Sequence, residues 1–470
     1  MNIEELKSKL IHIIEKENIV ENPVLLKKYS QDFHHPLIEA KIPNLVVQPK
    51  TNNEIQEIIR IASELKIPII PKSSQFSRYG GTIPEDGGLI LDLQKMNQIV
   101  AIDKNSMYVV IEPGVTFKQL QVELDKADLR IIPTLFSNSD SIISSYLARY
   151  PFFAMPKFEY NDLVVNLEVV LGNGEIFRTG SMASAKSPPV YPYGSTLDYF
   201  RIFHGSRGGL GVVTKASIRV KPKPRIQEIV SVPFEKSVDF IDFIYEVERK
   251  EIGTECIILN KLNALKYLNI DDKAVKFPNW ILLICLEGLE RFPEDKIAYE
   301  KEALNEIIKK KSIKVEKNIL ISQLEDRILK SFNESSNRED QYYDLPIYLT
   351  LDTFQNIYSA IQNELKQFKD FNIDLGVSII PVERNRVTYT EFDFYTNLKT
   401  EDQFIKFRKF FTNLGDIVIK SGAFIDIPYG SLKNIVYSKI TNYIKLINEV
   451  KDIFDPNRIM NPGKIEEEVP

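Results

Sequence analysis

An α+β chain of more than one domain is predicted from three observations. The length, 470 residues, is about three times that of an average domain of ~150 residues. Short apolar runs in the first half surround a β-α-β-like unit. Beyond Lys221-Pro222-Lys223-Pro224, longer charged helices alternate with strands, and this Pro-rich stretch is a natural boundary because Pro removes ladder donors and restricts its predecessor.

Taken in order, residues 1–20 have the acid-and-lysine amphipathic pattern of a helix rather than a signal peptide. Asn44–Gln48 reads as a strand. Thr51 and Glu54 then form a capping box, and Ile55, Ile58, Ile59, Ala62 and Leu65 keep one apolar helical face. Pro68 ends that helix, and Ile67–Ile70 returns as a strand. Strands are expected at Leu89–Leu93, Tyr108–Glu112, Leu163–Leu171 and Gly211–Val220, with helices at Thr116–Ala127 and near Ser141–Ala148. Gly172-Asn173-Gly174 before Glu175–Thr179 signals a hairpin. Later helices are expected at Pro293–Lys311 and Asp352–Lys369, and a last amphipathic helix carries Ile435 to Ile453.

Composition narrows the function. Apolar residues make up 43% and charged residues 27%, as in ordinary globular proteins. Sixty Lys+Arg against 65 Asp+Glu give a net charge of −5, so nothing supplies the basic field that nucleic acid or anionic lipid demands. The longest apolar run, around Trp280–Leu286, is far short of the ~20 residues that span a bilayer. Cys256 and Cys285 cannot build a disulfide framework or ligate an iron–sulfur cluster, and His12, His34, His35 and His204 show no zinc spacing. A cytoplasmic, reduced protein without a metal site is expected.

No G-x-G-x-x-G or G-x-x-x-x-G-K-[ST] motif is present. A Ser-rich loop, P-K-S-S-Q-F-S-R-Y-G-G (Pro71–Gly81), lies between two strands instead and can offer N–H and hydroxyl donors to a pyrophosphate. Alone it is a weak signal, since ordinary surface loops share it. In series it is joined by G-G-L-I-L-D-L-Q-K-M-N, V-I-E-P-G-V-T (Val110–Thr116), L-E-V-V-L-G-N-G-E-I-F-R-T-G (Leu167–Gly180), F-H-G-S-R-G-G-L-G-V-V-T-K (Phe203–Lys215) and D-P-N-R-I-M-N-P-G-K (Asp455–Lys464). This series resembles the FAD-binding fold of the vanillyl-alcohol oxidase / p-cresol methylhydroxylase superfamily.

The resemblance implies an N-terminal helical segment (1–40), a two-part FAD-binding domain of the p-cresol methylhydroxylase (PCMH) type (41–225), an α+β substrate cap built on an antiparallel sheet (226–430) and a C-terminal return (431–470). It implies that Lys72, Ser73, Ser74, Gln75, Phe76, Ser77, Tyr79, Gly80 and Gly81 hug the FAD pyrophosphate. Ser141, Ile142 and Ser145 would lie along the phosphates and flavin, with Pro113 and Gly114 supporting the same pocket. Gly208 and Gly211-Val212-Val213 would serve the adenosine end, and Asn461 the flavin entrance. For Gly114, Gly208 and Gly211, simple turn chemistry fits as well as cofactor contact. Neither FAD loop holds a His or Cys, so non-covalent FAD is expected. His34 and His35 fit a solvated or capping pair as well as a flavin contact, and His204 fits a structural role.

Two departures stand out. Relatives usually carry several glycines where Ser73, Ser74, Gln75 and Phe76 stand, and a Gly-Gly pair where Ile143 and Ser144 stand. The cap has no His after His204, which disfavours metal-assisted 2-hydroxy-acid oxidation. It is rich instead in Tyr342, Tyr343, Tyr348, Tyr389, Phe392, Phe394, Tyr395, Phe424 and Tyr429, which suit either a flat phenolic substrate or strand packing. Asp140, Tyr389, Asp426 and Tyr429 are the candidate catalytic residues. Arg384 and Arg386 fit an anion contact or a solvated strand end.

Two readings from different classes follow, and a third, a 2-hydroxy-acid dehydrogenase feeding a separate iron–sulfur protein, ranks below them for want of cap histidines. One is an FAD-dependent oxidoreductase taking a hydride from a small, aromatic or phenolic alcohol. The other is a degenerate subunit beside an active paralogous flavoprotein. An oligomer is expected, and any iron–sulfur relay would sit on another chain.

Overall fold

The computed structural model describes residues 3–34, 37–38, 40–74, 77–135, 140–152, 163–195, 197–271, 274–315, 318–333, 342–382 and 386–465. His35, Gln75, Phe76 and Arg384 lie outside them.

Three sheets carry the chain. Strands β1 (Ile19–Val20), β2 (Leu45–Val47), β3 (Ile69–Lys72) and β4 (Leu89–Asp92) form the first, in the order β1-β2-β4-β3, parallel except for β1. Helices α1 (Ile3–Leu10) and α3 (Asn52–Glu64) bury one face through Leu6, Ile55, Ile58 and Ile59, and α2 (Pro23–Tyr29) covers the other through Leu26. Parallel strands require cover on both faces, which is why they read as continuous apolar runs. The capping box at Thr51 and Glu54 forms as expected.

The second sheet is antiparallel, in the order β5-β6-β10-β8-β9: β5 (Ile99–Asp103), β6 (Tyr108–Ile111), β8 (Val164–Leu171), β9 (Ile176–Arg178) and β10 (Gly211–Arg219). A short pair, β7 (Leu129–Arg130) with β11 (Lys221–Pro222), lies beside it. Helices α4 (Phe117–Asp125) and α5 (Ile142–Leu147) pack on Leu167 and Val169, while Val170 and Val212 point into the core of the first sheet. Alternation along β8 and β10 therefore joins the two sheets.

The third sheet is a six-stranded antiparallel unit in the order β12-β14-β13-β16-β17-β15. Its strands are β12 (Ile226–Phe234), β13 (Glu255–Asn260), β14 (Trp280–Gly288), β15 (Tyr343–Leu349), β16 (Asp374–Val382) and β17 (Val387–Tyr395). Its helices are α6 (Ser237–Arg249), α7 (Lys261–Tyr267), α8 (Pro293–Lys310), α9 (Ile319–Asn333), α10 (Leu351–Gln367) and α11 (Glu401–Lys420). Register separates the aromatic residues by face. Leu345, Phe392 and Phe394 join Phe354, Phe407, Phe410 and Phe411 of the helices, while Asp344 and Asp393, paired across β15 and β17, share the opposite face with Tyr389 and Glu391. Pro346 is tolerated because β15 is an edge strand. The N–H of Tyr348, two residues on, points outward to Phe424, so the Pro346 nitrogen also faces away from β17.

The single C-terminal helix expected from the pattern is two helices. After α12 (Leu432–Tyr437), the Lys439 and Ile440 N–H groups bond the Val436 and Tyr437 carbonyls in tight turns, and α13 (Thr441–Phe454) begins anew. Ile453 is exposed, whereas Lys451 is fully buried. Its ammonium donates to the carbonyls of Gly209 (2.8 Å) and Met460 (2.7 Å) and meets Asp455 at 3.1 Å. Asp455 also accepts the N–H groups of Ile459 and Met460. It lies so close to Gly172 that a Cβ there would come within 2.5 Å of its carboxylate. The chain then runs along the open edge of β3, with the Ile69 N–H on the Ile459 carbonyl (2.7 Å) and the Asn461 N–H on the Ile69 carbonyl (2.8 Å). Among the described residues no helix is long and apolar enough to cross a membrane.

Removing one partner of a buried ion pair typically costs about 3–5 kcal/mol. Asp455→Ala should therefore lower the midpoint of the first thermal transition by several degrees, as followed by calorimetry. An unchanged midpoint would mean that Lys451 and the returning segment do not hold the two sheets together.

Candidate functional site

The end of β3, the two loops that follow β3 and β6, and the turn before β10 converge on one cleft of about 520 Å³, a volume typical of small-molecule sites. Its walls come from Lys72, Ser73, Ser77–Tyr79, Gly81, Thr82, Pro113, Ile143, Ser144, Leu147–Tyr150, Arg201–Gly208, Leu210, Gly211 and Val213. It is closed by Phe424–Pro428, by Val436 and Tyr437 of α12, by Ile440 between the helices and by Ile444 of α13.

Hydrogen bonds join the loops. Ser141 caps α5, its hydroxyl accepting the Ser144 N–H and donating to the Pro113 carbonyl (2.5 Å), and its own N–H donates to the Ser74 hydroxyl (2.9 Å). Ser77 and Thr82 share a hydrogen bond of 2.6 Å. Lys72 is nearly buried at 5% exposure, and burial lowers its pKa. Among the described residues it forms no ion pair; its nearest bonded partner is Thr82 at 3.5 Å.

Of the residues expected to bind the cofactor, Lys72, Ser73, Ser77, Tyr79, Gly81, Pro113, Gly208, Gly211 and Val213 line this cleft. The other described ones do not, each for a physical reason. The side chains of Ile142 and Val212 are core. A Cβ on Gly114 would press within 2.9 Å of the carbonyls of Leu93, Gln94 and Met96, so that glycine permits a close approach between the two sheets. Gly80 packs on Ile38 and donates to Asp32 (2.7 Å). Ser74 and Ser141 are spent on each other and on the cap, and Ser145 is buried with its hydroxyl unpartnered. Asn461 is buried behind the cleft, its amide donating to the carbonyls of Gly81 (2.9 Å) and Arg207 (2.6 Å). Gln75 and Phe76 lie outside the described residues. Ile143 and Ser144, where the resemblance leads one to expect glycines, do line the cleft.

The catalytic candidates separate. Asp426 lines the cleft and pairs with Arg149 at 2.8 Å; burial raises its pKa against the pull of Arg149 and Arg207. Asp140 is buried off the cleft with one oxygen unpartnered, and burial pushes its pKa up to about 7. Tyr389 donates to Glu391 (2.8 Å) and Tyr429 to the Asp344 carbonyl (2.6 Å), both inside and away from the cleft.

Sequence reasoning missed the cluster that receives them. His34 is fully buried rather than solvated. Its Nδ1 accepts the Tyr79 N–H (3.0 Å), so its proton sits on Nε2, which meets Asp344 at 2.6 Å. Tyr79 donates its hydroxyl to the other Asp344 oxygen (2.6 Å), and Arg78 lies 3.6 Å from the carboxylate and 4.2 Å from the Phe33 ring centre. Burial alone would raise the Asp344 pKa, but His34, Arg78 and Tyr79 outweigh it and hold the carboxyl low. Asp344 carried no sequence signal; only the sheet register brings it to Tyr79.

The donor set fits a polyanionic cofactor. Lys72, Ser73 and Ser77 gather at the end of a parallel strand, where open α/β sheets place phosphates. Comparison with known proteins agrees. A family model described as "FAD binding domain" matches residues 43–180. The glycolate oxidase subunit GlcD of Bacillus subtilis is 26% identical over 99% of this chain and 97% of its own. The 4-cresol dehydrogenase [hydroxylating] flavoprotein subunit of Pseudomonas putida is 31% identical over 44% of this chain and 40% of its own. Substrate-bound p-cresol methylhydroxylase superposes with a TM-score of 0.85 at 18% identity, covering 98% of this chain and 96% of that one. The 4-ethylphenol oxidase of Gulosibacter chungangensis gives the same score and identity over 99% and 98%. These structures show the shared fold.

Asp140 keeps its proton up to about pH 7 when folded, whereas an unfolded Asp ionises near pH ~4. The folded state thus holds more protons between those values, and its stability falls as pH rises through them. Asp140→Asn should remove that decline, so urea unfolding should show the variant gaining on the wild type from pH 4.5 to 7.5. Parallel pH profiles would refute the placement.

Proposed function

For a chain that belongs to the FAD-linked oxidase superfamily, with the p-cresol methylhydroxylase fold, we propose oxidation of a CH–OH group on a small molecule held between residues 41–225, as FAD-binding domain, and residues 226–430, as cap. When bound, FAD supplies the hydride acceptor. Lys72, Ser73 and Ser77 hold its phosphates without a covalent link, and Gly208 and Gly211 leave room beside them. The observation that carries the reading is Asp426. It is the one carboxylate among the described residues that line the cleft, and Arg149 orients it. Asp426 takes the hydroxyl proton as the hydride leaves, as a general base must.

Tyr389 and Tyr429 support the substrate site from behind rather than touching substrate, since their hydroxyls are engaged by Glu391 and Asp344. An aromatic or phenolic alcohol fits the apolar walls given by Phe203, Phe424 and Tyr150. Two relatives are named as subunits, which supports a partner chain as electron acceptor, either a paralogous flavoprotein or an iron–sulfur subunit. A second reading, a degenerate subunit without catalysis, is favoured by the branched Ile143 at the edge of the cleft.

The purified chain should show flavin absorption that moves to the supernatant on acid precipitation, and an alcohol substrate should bleach it without oxygen. Asp426→Asn should keep the flavin and slow bleaching about 100-fold or more. In the wild type, the rate should rise with pH through the raised Asp426 pKa. A colourless protein that refuses added FAD would decide for the degenerate subunit.

A further inference from the structure

A second cluster of titratable groups lies away from the cleft, where the short β7–β11 pair meets the third sheet. Register sets Glu255 of β13 opposite Cys285 of β14, and Glu287 follows two residues on, so all three share one face of the sheet. All are buried, and one ligand atom from each lies within 4.8 Å of the other two. Arg130 of β7 reaches the group: its Nη2 donates to Glu287 Oε1 at 2.5 Å, and its Nη1 lies 3.6 Å from Glu255 Oε1. Gln227 of β12 donates to the same Glu287 oxygen at 2.8 Å. Lys221, paired with Arg130 across β7 and β11, stands at the exposed rim.

The hydrogen bonding is incomplete on both sides. Glu255 Oε2 has no partner, and neither Nε nor Nη1 of Arg130 donates a hydrogen bond. Buried polar groups in that state are costly. Were both carboxylates ionised, the Arg130 guanidinium would answer only one of them. Burial raises the Glu255 pKa to about 8 against the pull of Arg130, with Glu287 adding to the rise. Burial and then the two glutamates push the Cys285 thiol up. At neutral pH Glu255 and Cys285 therefore both hold protons. A divalent ion that displaced those two protons would leave the buried charge unchanged and give Glu255 Oε2 a partner. A water held as its fourth ligand would accept from Arg130.

We propose that Glu255, Cys285 and Glu287 form a zinc-type metal site, with Arg130 and Gln227 orienting Glu287. A thiolate with two carboxylates suits zinc or a similar first-row divalent ion and disfavours magnesium and calcium, which take oxygen ligands. In loading, one divalent ion meets the Glu255 carboxylic acid, the Cys285 thiol and the Glu287 carboxylate; three metal–ligand bonds form and two protons leave. No oxidant or reductant enters. Hydrogen bonds to a ligating carboxylate, as Arg130 and Gln227 make, are usual around metal ions. None of these residues lines the cleft, so the ion would act on structure, tying the third sheet to the β7–β11 pair through Arg130. No Cys/His spacing announces the site in the sequence, because its ligands come from two strands and meet only by register.

The test starts with full-length protein expressed with added zinc, so that a buried site can fill during folding, followed by dialysis and elemental analysis. One zinc per chain is expected. After chelation, calorimetric titration with zinc at pH 7, in buffers of different ionisation enthalpy, should show release of about two protons per ion. Cobalt in place of zinc should add a thiolate-to-metal absorption band. The chain has two cysteines, and Cys256 points to the opposite face of β13. The band should therefore survive Cys256→Ser and vanish in Cys285→Ser. Glu255→Gln should weaken zinc binding by more than the about 10- to 100-fold typical of losing an outer partner. Protein that stays zinc-free overturns the proposal and leaves an ion pair that shares a proton or an enclosed water. A cobalt complex without the band, a band that survives Cys285→Ser, or binding without proton release overturns it as well. Should Cys285→Ser not fold, as judged by circular dichroism, Cys256→Ser decides alone, because Cys285 is then the one thiol left. No readout uses flavin or turnover, so the inference goes beyond the oxidation reading and fails or stands apart from it.

Discussion

The cleft depends on the ion pair between Lys451 and Asp455. A lysine ammonium fully removed from water is tolerable only because two carbonyls and one carboxylate replace its hydration. That requirement fixes the end of α13 against the turn at Gly209 and sends Ile459–Asn461 along the open edge of β3. The added strand removes an edge that would otherwise be free to pair elsewhere. It also delivers Asn461 to the point where Gly81 and Arg207 meet, so one amide sets the spacing of two cleft walls.

The third sheet contributes in a different way. Its helix-facing side is an ordinary apolar core of Leu, Ile and Phe, but its other side carries Asp344, Glu391, Asp393 and Tyr389 out of contact with solvent. These groups persist there because they are bonded to His34, Tyr79 and Asn263, with the Arg78 cation close by. The network pins the Tyr79 backbone, whose carbonyl meets Arg207, and so connects the third sheet to the cleft floor. Tyrosines that would be phenol-binding candidates by composition become structural donors once their hydroxyl partners are seen.

Two serines expected at the cofactor serve instead to hold the loops of the cleft together. Ser74 and Ser141 use their side chains to join the loops, a role glycine could not fill. Ile143 is different, since it borders the cleft while belonging to the core of the second sheet. Glycines expected at the cofactor divide likewise: Gly208 and Gly211 border the cleft, whereas Gly114 serves packing between sheets.

Periodicity and capping were enough to locate most strands and helices of the first two sheets within a residue or two, because local burial and hydrogen bonding fix them. The motif series likewise sufficed for the FAD-binding region, since phosphate-binding loops are short and contiguous. What lies far apart in sequence was decided only by tertiary structure. The Asp344–His34 contact joins residues 310 positions apart, and Asn461 reaches Gly81 across 380. Neither pair follows a repeat that sequence can display. The same holds for Arg149 and Arg207. Each reads as an ordinary surface cation until the fold brings both to one cleft, where Arg149 meets Asp426, and that meeting is a property of the assembled chain alone.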